Sequence, residues 1–129
     1  MIVVDTSALM AILLDESGAG DCVSALEGNE RLLISAVTVA EALIVAARRN
    51  LGPEMNALLD GLGFEVAAVT EASARRAANA YETWGKGVHP AALNFGDCFA
   101  YALAKENGCP LLYVGDDFAQ TDPTSALAA

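Results

Sequence analysis

The chain has 129 residues, 54% hydrophobic and 19% charged, the balance of a folded domain with a real core rather than of a disordered segment. Its net charge of −10, with only seven Lys and Arg, counts against a passive basic patch as the means of gripping nucleic acid and favours basic partners and divalent cations. No apolar run is long enough to span a bilayer: the best candidate, Leu33 to Ala47, is interrupted by Glu41.

The chain opens on Ile2-Val3-Val4, a β-branched run that reads as a buried strand ending on Asp5. This opening carries an acid and no basic flank, so it is unlike a secretory signal. Thr6 or Ser7 can cap a helix over Ala8 to Leu14, and Gly18 to Leu26 forms a second helix closed by Gly28-Asn29. Arg31 to Ser35 reads as the second strand. Ala36 to Asn50 is the next helix, with Gly52-Pro53 just past its end. Glu54 to Asp60 is another, stopped by Gly61 and Gly63. Phe64 to Val69 is the third strand. Glu71 to Trp84 is an alanine-rich helix with Thr70 as its N-cap and Arg75 and Arg76 toward solvent. Gly85 to Leu93, with two glycines and Pro90, is a loop. A helix then starts at Asn94 or Phe95 and runs to about Asn107, with Gly108 as its C-terminal cap. Leu111 to Val114 is the fourth strand, and Gly115-Asp116-Asp117-Phe118 follows it. From about Asp122 the tail reads as weakly structured.

Strands alternating with helices predict an α/β fold, a mostly parallel sheet with helices on both faces. No repeat, linker or low-complexity tract divides residues 1–129, so the expectation is a single domain. Three cysteines without a C-x-x-C pair read as small buried thiols in a reduced, cytoplasmic setting.

Four acids stand in apolar surroundings. Asp5 ends the first strand, and Asp116 follows the fourth. Glu41 is the one charge between Ala36 and Ala47, and Asp97 the one charge between Leu93 and Ala104. An ionised carboxylate taken out of water costs several kcal/mol, roughly, unless it is paired or binds a metal. Each acid also has a local structural role open to it. Asp5 can cap the first helix, and Thr38 to Glu41 matches a capping box. Asp97 can be a first-turn acid favoured by the helix dipole, and Asp116 and Asp117 can shape a turn. Together at strand ends and first helical turns of one sheet, they point instead to a divalent cation. Mg²⁺ and Mn²⁺ take oxygen ligands and suit hydrolysis of a phosphodiester by water.

Other chemistries lack their residues. His89 is the lone histidine and reads as an exposed loop residue. No zinc spacing, Walker A loop or G-x-G-x-x-G is present. Thr6 and Ser7 have no histidine base near them in sequence, which leaves a serine nucleophile unsupported. They can hydrogen-bond an acid or a water.

Ile2-Val3-Val4-Asp5-Thr6-Ser7, then Ser35-Ala36-Val37-Thr38-Val39-Ala40-Glu41, then Leu93-Asn94-Phe95-Gly96-Asp97-Cys98-Phe99-Ala100-Tyr101-Ala102-Leu103-Ala104 together resemble the acid-bearing segments of PIN-domain ribonucleases, specifically VapC-type toxins of bacterial toxin–antitoxin pairs. The resemblance runs from Met1 to about Asp122. It implies a three-layer α/β/α domain that forms a homodimer, cuts RNA with Mg²⁺ or Mn²⁺ and is blocked by a VapB-type antitoxin. It implies Asp5, Glu41 and Asp97 as metal ligands and Ser7 as a water-positioning hydroxyl. Asp116 is favoured as the fourth acid, with Asp117 and Asp122 as alternatives. Arg48, Arg49, Arg75, Arg76 and Lys86 are candidate phosphate contacts. Arg48 is preferred because seven residues, roughly two helical turns, place it on the face of Glu41. Two other functions compete: a small-molecule phosphohydrolase, which would carry an acid where Ser7 stands, and a non-catalytic PIN-like protein-binding module.

Overall fold

The structure, a computed structural model, describes residues 1–127. Its sheet is built from Ile2–Val4 (β1), Leu32–Ser35 (β2), Glu65–Ala67 (β3) and Leu111–Leu112 (β4). Its helices are Thr6–Leu13 (α1), Ala19–Glu27 (α2), Ala36–Arg48 (α3), Gly52–Gly61 (α4), Glu71–Trp84 (α5) and Phe95–Asn107 (α6), followed by a 3-10 turn over Phe118–Gln120. The strands are all parallel, in the order β3-β2-β1-β4.

Strands this short cannot stand on their ladders alone. They hold because side chains alternate between two apolar layers. Ile2, Val4, Leu32 and Ile34 pack with Leu9, Ala42, Ala46 and Met55 of α1, α3 and α4. Val3, Leu33 and Leu111 pack on the other face with Ala77, Ala80, Phe99 and Ala104 of α5 and α6. Each large aliphatic side chain so buried contributes about 1.5–3 kcal/mol. The result is the α/β/α sandwich expected from the strand–helix alternation.

The strand order fixes where a ligand can sit. The chain builds outward from β1 through β2 to β3, then returns to lay β4 on the other side of β1. The order therefore reverses between β1 and β4, and parallel sheets bind ligands beyond the carboxyl ends of strands at such a reversal. Asp5 stands there, its N–H donating to the Leu112 carbonyl at 3.0 Å.

Several local expectations are corrected. Asp5, not Thr6 or Ser7, caps α1, accepting the Ser7 N–H at 3.0 Å, so the helix starts two residues early. β4 stops at Leu112 because the Val114 N–H turns to the Ser7 hydroxyl at 3.0 Å. Thr38 and Glu41 form no capping box, because Ser35 caps α3 through the Val37 N–H. His89 is half-buried, not exposed: its Nδ1 accepts the Ala91 N–H at 2.9 Å, and its ring meets Trp84 edge-on at 4.8 Å. Arg76 pairs with Glu106 of α6 at 3.2 Å instead of facing solvent alone. The tail, read as weakly structured, has no helix or strand of its own among the described residues past Gln120 and lies along the open edge of β4. There Leu111 donates to the Thr124 carbonyl and accepts from the Ala126 N–H, both at 2.9 Å. Among the described residues no helix is long and apolar enough to cross a membrane.

Thr38 is fully buried within α3, and its hydroxyl has no hydrogen-bond partner among the described residues. Thr38→Val keeps the shape and removes the unpaired hydroxyl, whose burial costs about 1–3 kcal/mol. A rise of several degrees in melting temperature is expected by calorimetry; an unchanged or lower value contradicts this reading of the site.

Candidate active site

Asp5, Glu41 and Asp97 come from the end of β1, the second turn of α3 and the first turn of α6. The fold of each segment brings its acid within electrostatic reach of the other two. Asp5 and Asp97 are buried, at 3% and 7% exposure. The local roles open to two of them are real. Asp5 caps α1, and Asp97 closes a capping box in which its Oδ2 accepts the Asn94 N–H at 3.0 Å while its own N–H donates to Asn94 Oδ1 at 2.8 Å. These roles do not compete with convergence, because each carboxylate spends one oxygen on the protein.

Asp5 Oδ2 accepts both the backbone N–H and the hydroxyl of Ser7, at 3.0 and 2.6 Å. Its Oδ1 is buried with no hydrogen-bond partner among the described residues. Glu41 Oε1 accepts the Thr6 hydroxyl at 2.6 Å, and Oε2 lies against the bare Cα of Gly96. Asp97 Oδ1 makes no hydrogen bond among the described residues. Each acid is thus anchored through one oxygen and presents the other. Ser7 ties the set to the loop after β4, since its oxygen also accepts the Val114 N–H at 3.0 Å.

The charges feel one another. Burial pushes Asp5 from 3.8 up to about 6, with the Glu41 charge adding to it against the downward pull of the Ser7 hydrogen bonds. Burial pushes Asp97 up to about 7, and the charges of Asp5, Glu41 and Asp117 add to that shift. A buried carboxylate oxygen with no donor among the described residues, in a pair of acids, Asp5 and Asp97, that burial pushes up, fits a hard cation by its donor chemistry. The side chains are not drawn to the spacing of a shared ion as they stand: among the described residues no three His, Cys, Asp or Glu come close enough to hold one.

The remaining acids separate. Asp116 and Asp117 are both exposed, and the charge that reaches Asp97 is that of Asp117, although its position right after the strand favours Asp116. Gly115, at φ +106, turns the chain between β4 and this pair. Asp122 lies elsewhere. It accepts the Tyr101 hydroxyl at 2.7 Å and pairs with Lys105, which holds its carboxyl below the usual range. Trp84 Nε1 donates to the same Tyr101 oxygen at 2.9 Å, so Asp122 pins the tail to α5 and α6. Arg48 is exposed in the last turn of α3, roughly 10 Å along the axis from Glu41. Sequence reasoning passed over Gly96. The available signal was a glycine inside a helix, a costly choice that marks a close approach.

The PIN domain family matches residues 2–123. Ribonuclease VapC42 of Mycobacterium tuberculosis is 45% identical over 126 residues, covering 94% of this chain and 95% of the relative. Ribonuclease VapC30 of the same organism is 44% identical over 124 residues, with the same shares covered. Among solved structures, Mycobacterium tuberculosis VapC20, a sarcin-ricin loop cleaving toxin, superposes with a TM-score of 0.80 at 16% identity over 99% of this chain and all of that one. A toxin–antitoxin complex from Klebsiella pneumoniae gives 0.72 at 19% identity over the whole of both chains. The family match runs from β1 to Pro123 and includes Asp5, Glu41 and Asp97: the chain belongs to the PIN-domain family, among the VapC ribonucleases.

Proposed function

We propose that the chain is the toxin of a toxin–antitoxin pair and hydrolyses RNA phosphodiesters with Mg²⁺, or Mn²⁺ in its place, held by Asp5, Glu41 and Asp97. The observation that carries this is the unpartnered, buried Oδ1 of Asp5 beside two more carboxylates that each present a free oxygen. A bound divalent cation supplies charge to steady the phosphoryl oxygens and makes a water molecule a stronger acid. The protein does the rest. Thr6 and Ser7 hold Glu41 and Asp5 in orientation, and the capping box of α6 holds Asp97. Asp117 takes the place of the fourth acid, since its charge bears on Asp97. Arg48 is the RNA-side cation; like Arg49 and Lys86 it forms no ion pair among the described residues, and of the three it alone lies within α3, the helix that carries Glu41.

A VapB-type antitoxin, basic where it meets the acids, is the partner that a net charge of −10 favours, and the functional unit is a homodimer. Three free thiols support a cytoplasmic setting. A small-molecule phosphohydrolase lacks its second acid, because Ser7 stands two residues after Asp5 and donates to it.

Purified protein offered labelled RNA is expected to cut it in Mg²⁺ or Mn²⁺ and to stop in EDTA. Cleavage that persists in EDTA removes the metal, and intact RNA under all conditions removes the ribonuclease reading.

A further inference from the structure

Gly96 occupies the second position of α6 with ordinary helical backbone, so no turn or positive φ demands a glycine there. Alanine is the better helix residue. What excludes a side chain is Glu41. A Cβ at position 96 would lie 2.1 Å from Glu41 Oε2, 2.7 Å from its Cδ and 3.0 Å from Oε1. On the other side, the Thr6 hydroxyl grips Oε1 at 2.6 Å. The carboxylate of Glu41 is therefore seated between a hydrogen-bond donor from α1 and a bare Cα from α6, one residue before Asp97.

We infer that Gly96 is a positioning residue: its missing side chain sets where the Glu41 carboxylate lies relative to Asp97, and any substituent displaces that carboxylate. The inference rests on the metal-dependent reading above for its consequence, but not for its geometry. The displaced group is the far end of a flexible side chain. The fold accommodates the change while the site does not, so stability and function part company.

The test is a cycle of wild type, Gly96→Ala, Glu41→Ala and the double variant. Each is read by crystal structure, melting temperature, Mn²⁺ calorimetry and RNA cleavage. Gly96→Ala is expected to melt at or above wild type, to show the Glu41 carboxylate moved, and to lose roughly 10–100-fold in Mn²⁺ affinity, with cleavage falling alongside. In the Glu41→Ala background the same substitution is expected to change neither affinity nor cleavage. A Gly96→Ala chain that fails to fold, but folds once Glu41 is also Ala, supports the same contact. The inference is overturned if the carboxylate stays in place, if affinity and cleavage are unchanged, or if Gly96→Ala does equal damage with Glu41 absent. Should wild type neither bind Mn²⁺ nor cut RNA, the ribonuclease reading falls, and the position of the Glu41 carboxylate in the two crystal structures still decides the role of Gly96.

Discussion

Asp5→Asn is expected to cut RNA cleavage by at least ~100-fold while leaving the metal-free chain as stable as wild type, or more so, at pH 7.5. The two effects share a cause. Burial raises Asp5 from 3.8 to about 6, so keeping it ionised at pH 7.5 costs the fold about 3 kcal/mol. Asparagine removes that charge and keeps an oxygen for the Ser7 donors. Its amide then takes the position of the unpartnered Oδ1, where a missing hydrogen bond costs about 1–3 kcal/mol. The balance runs from zero to about 2 kcal/mol in favour of the variant. Function moves the other way, because the oxygen offered to the cation has gone. Thermal melts and a cleavage assay on one preparation check both halves. A variant that cuts RNA within a few-fold of wild type, or that melts far below it, contradicts the account.

The metal-free protein is expected to lose stability as pH rises from about 4 to about 7, and a divalent cation is expected to abolish that loss. In the unfolded chain Asp5 and Asp97 titrate near 3.8, whereas in the folded chain they titrate at about 6 and about 7. Between those values the folded state holds more protons than the unfolded, so unfolding free energy falls with pH. Below about pH 3 both groups are protonated in either state and contribute no slope. Above about pH 8 both are ionised, and the loss, on the order of several kcal/mol, is complete. Glu65 and Asp122, each held low by a basic partner, act in the opposite sense and lose their contribution in stronger acid. A cation reverses the preference of Asp5 and Asp97 because it favours their charged forms. The gain in melting temperature from Mn²⁺ should therefore be large at pH 7.5 and small at pH 5. Melts across this range in EDTA and in Mn²⁺ read it directly. A metal-free chain whose stability is flat or rising between pH 5 and 7.5 speaks against the carboxylate cluster.

Much of this architecture was legible from residues alone. Ile2-Val3-Val4 and the run ending in Ser35 are short, apolar and cut off by a polar residue, the pattern of strands buried on both faces. The helix from Glu71 to Trp84 was bounded correctly because Thr70 and Gly85 are unambiguous stops. Asp5, Glu41 and Asp97 stood out because a lone acid in an apolar stretch must be accounted for. What stayed hidden depends on contacts between distant segments. Asp122 reads as one more acid near the fourth strand until Lys105 and Tyr101 claim it. His89 reads as a surface residue until Trp84 packs on it. Asp116 and Asp117 are adjacent exposed acids, and which of their charges bears on Asp97 shows only in three dimensions. Local chemistry can nominate an acid, but only the closed fold assigns it a neighbour.

Mn²⁺ is paramagnetic and erases the amide signals of residues near it, so a titration followed by NMR locates the ion without reference to activity. At substoichiometric Mn²⁺ the account predicts the steepest loss at Thr6 and Ser7, around Glu41, and from Phe95 to Cys98, falling off with distance and weakest at the opposite ends of the strands, near Arg31 and Gly108. Uniform broadening, no broadening, or loss centred on the exposed acids away from Asp5 contradicts it.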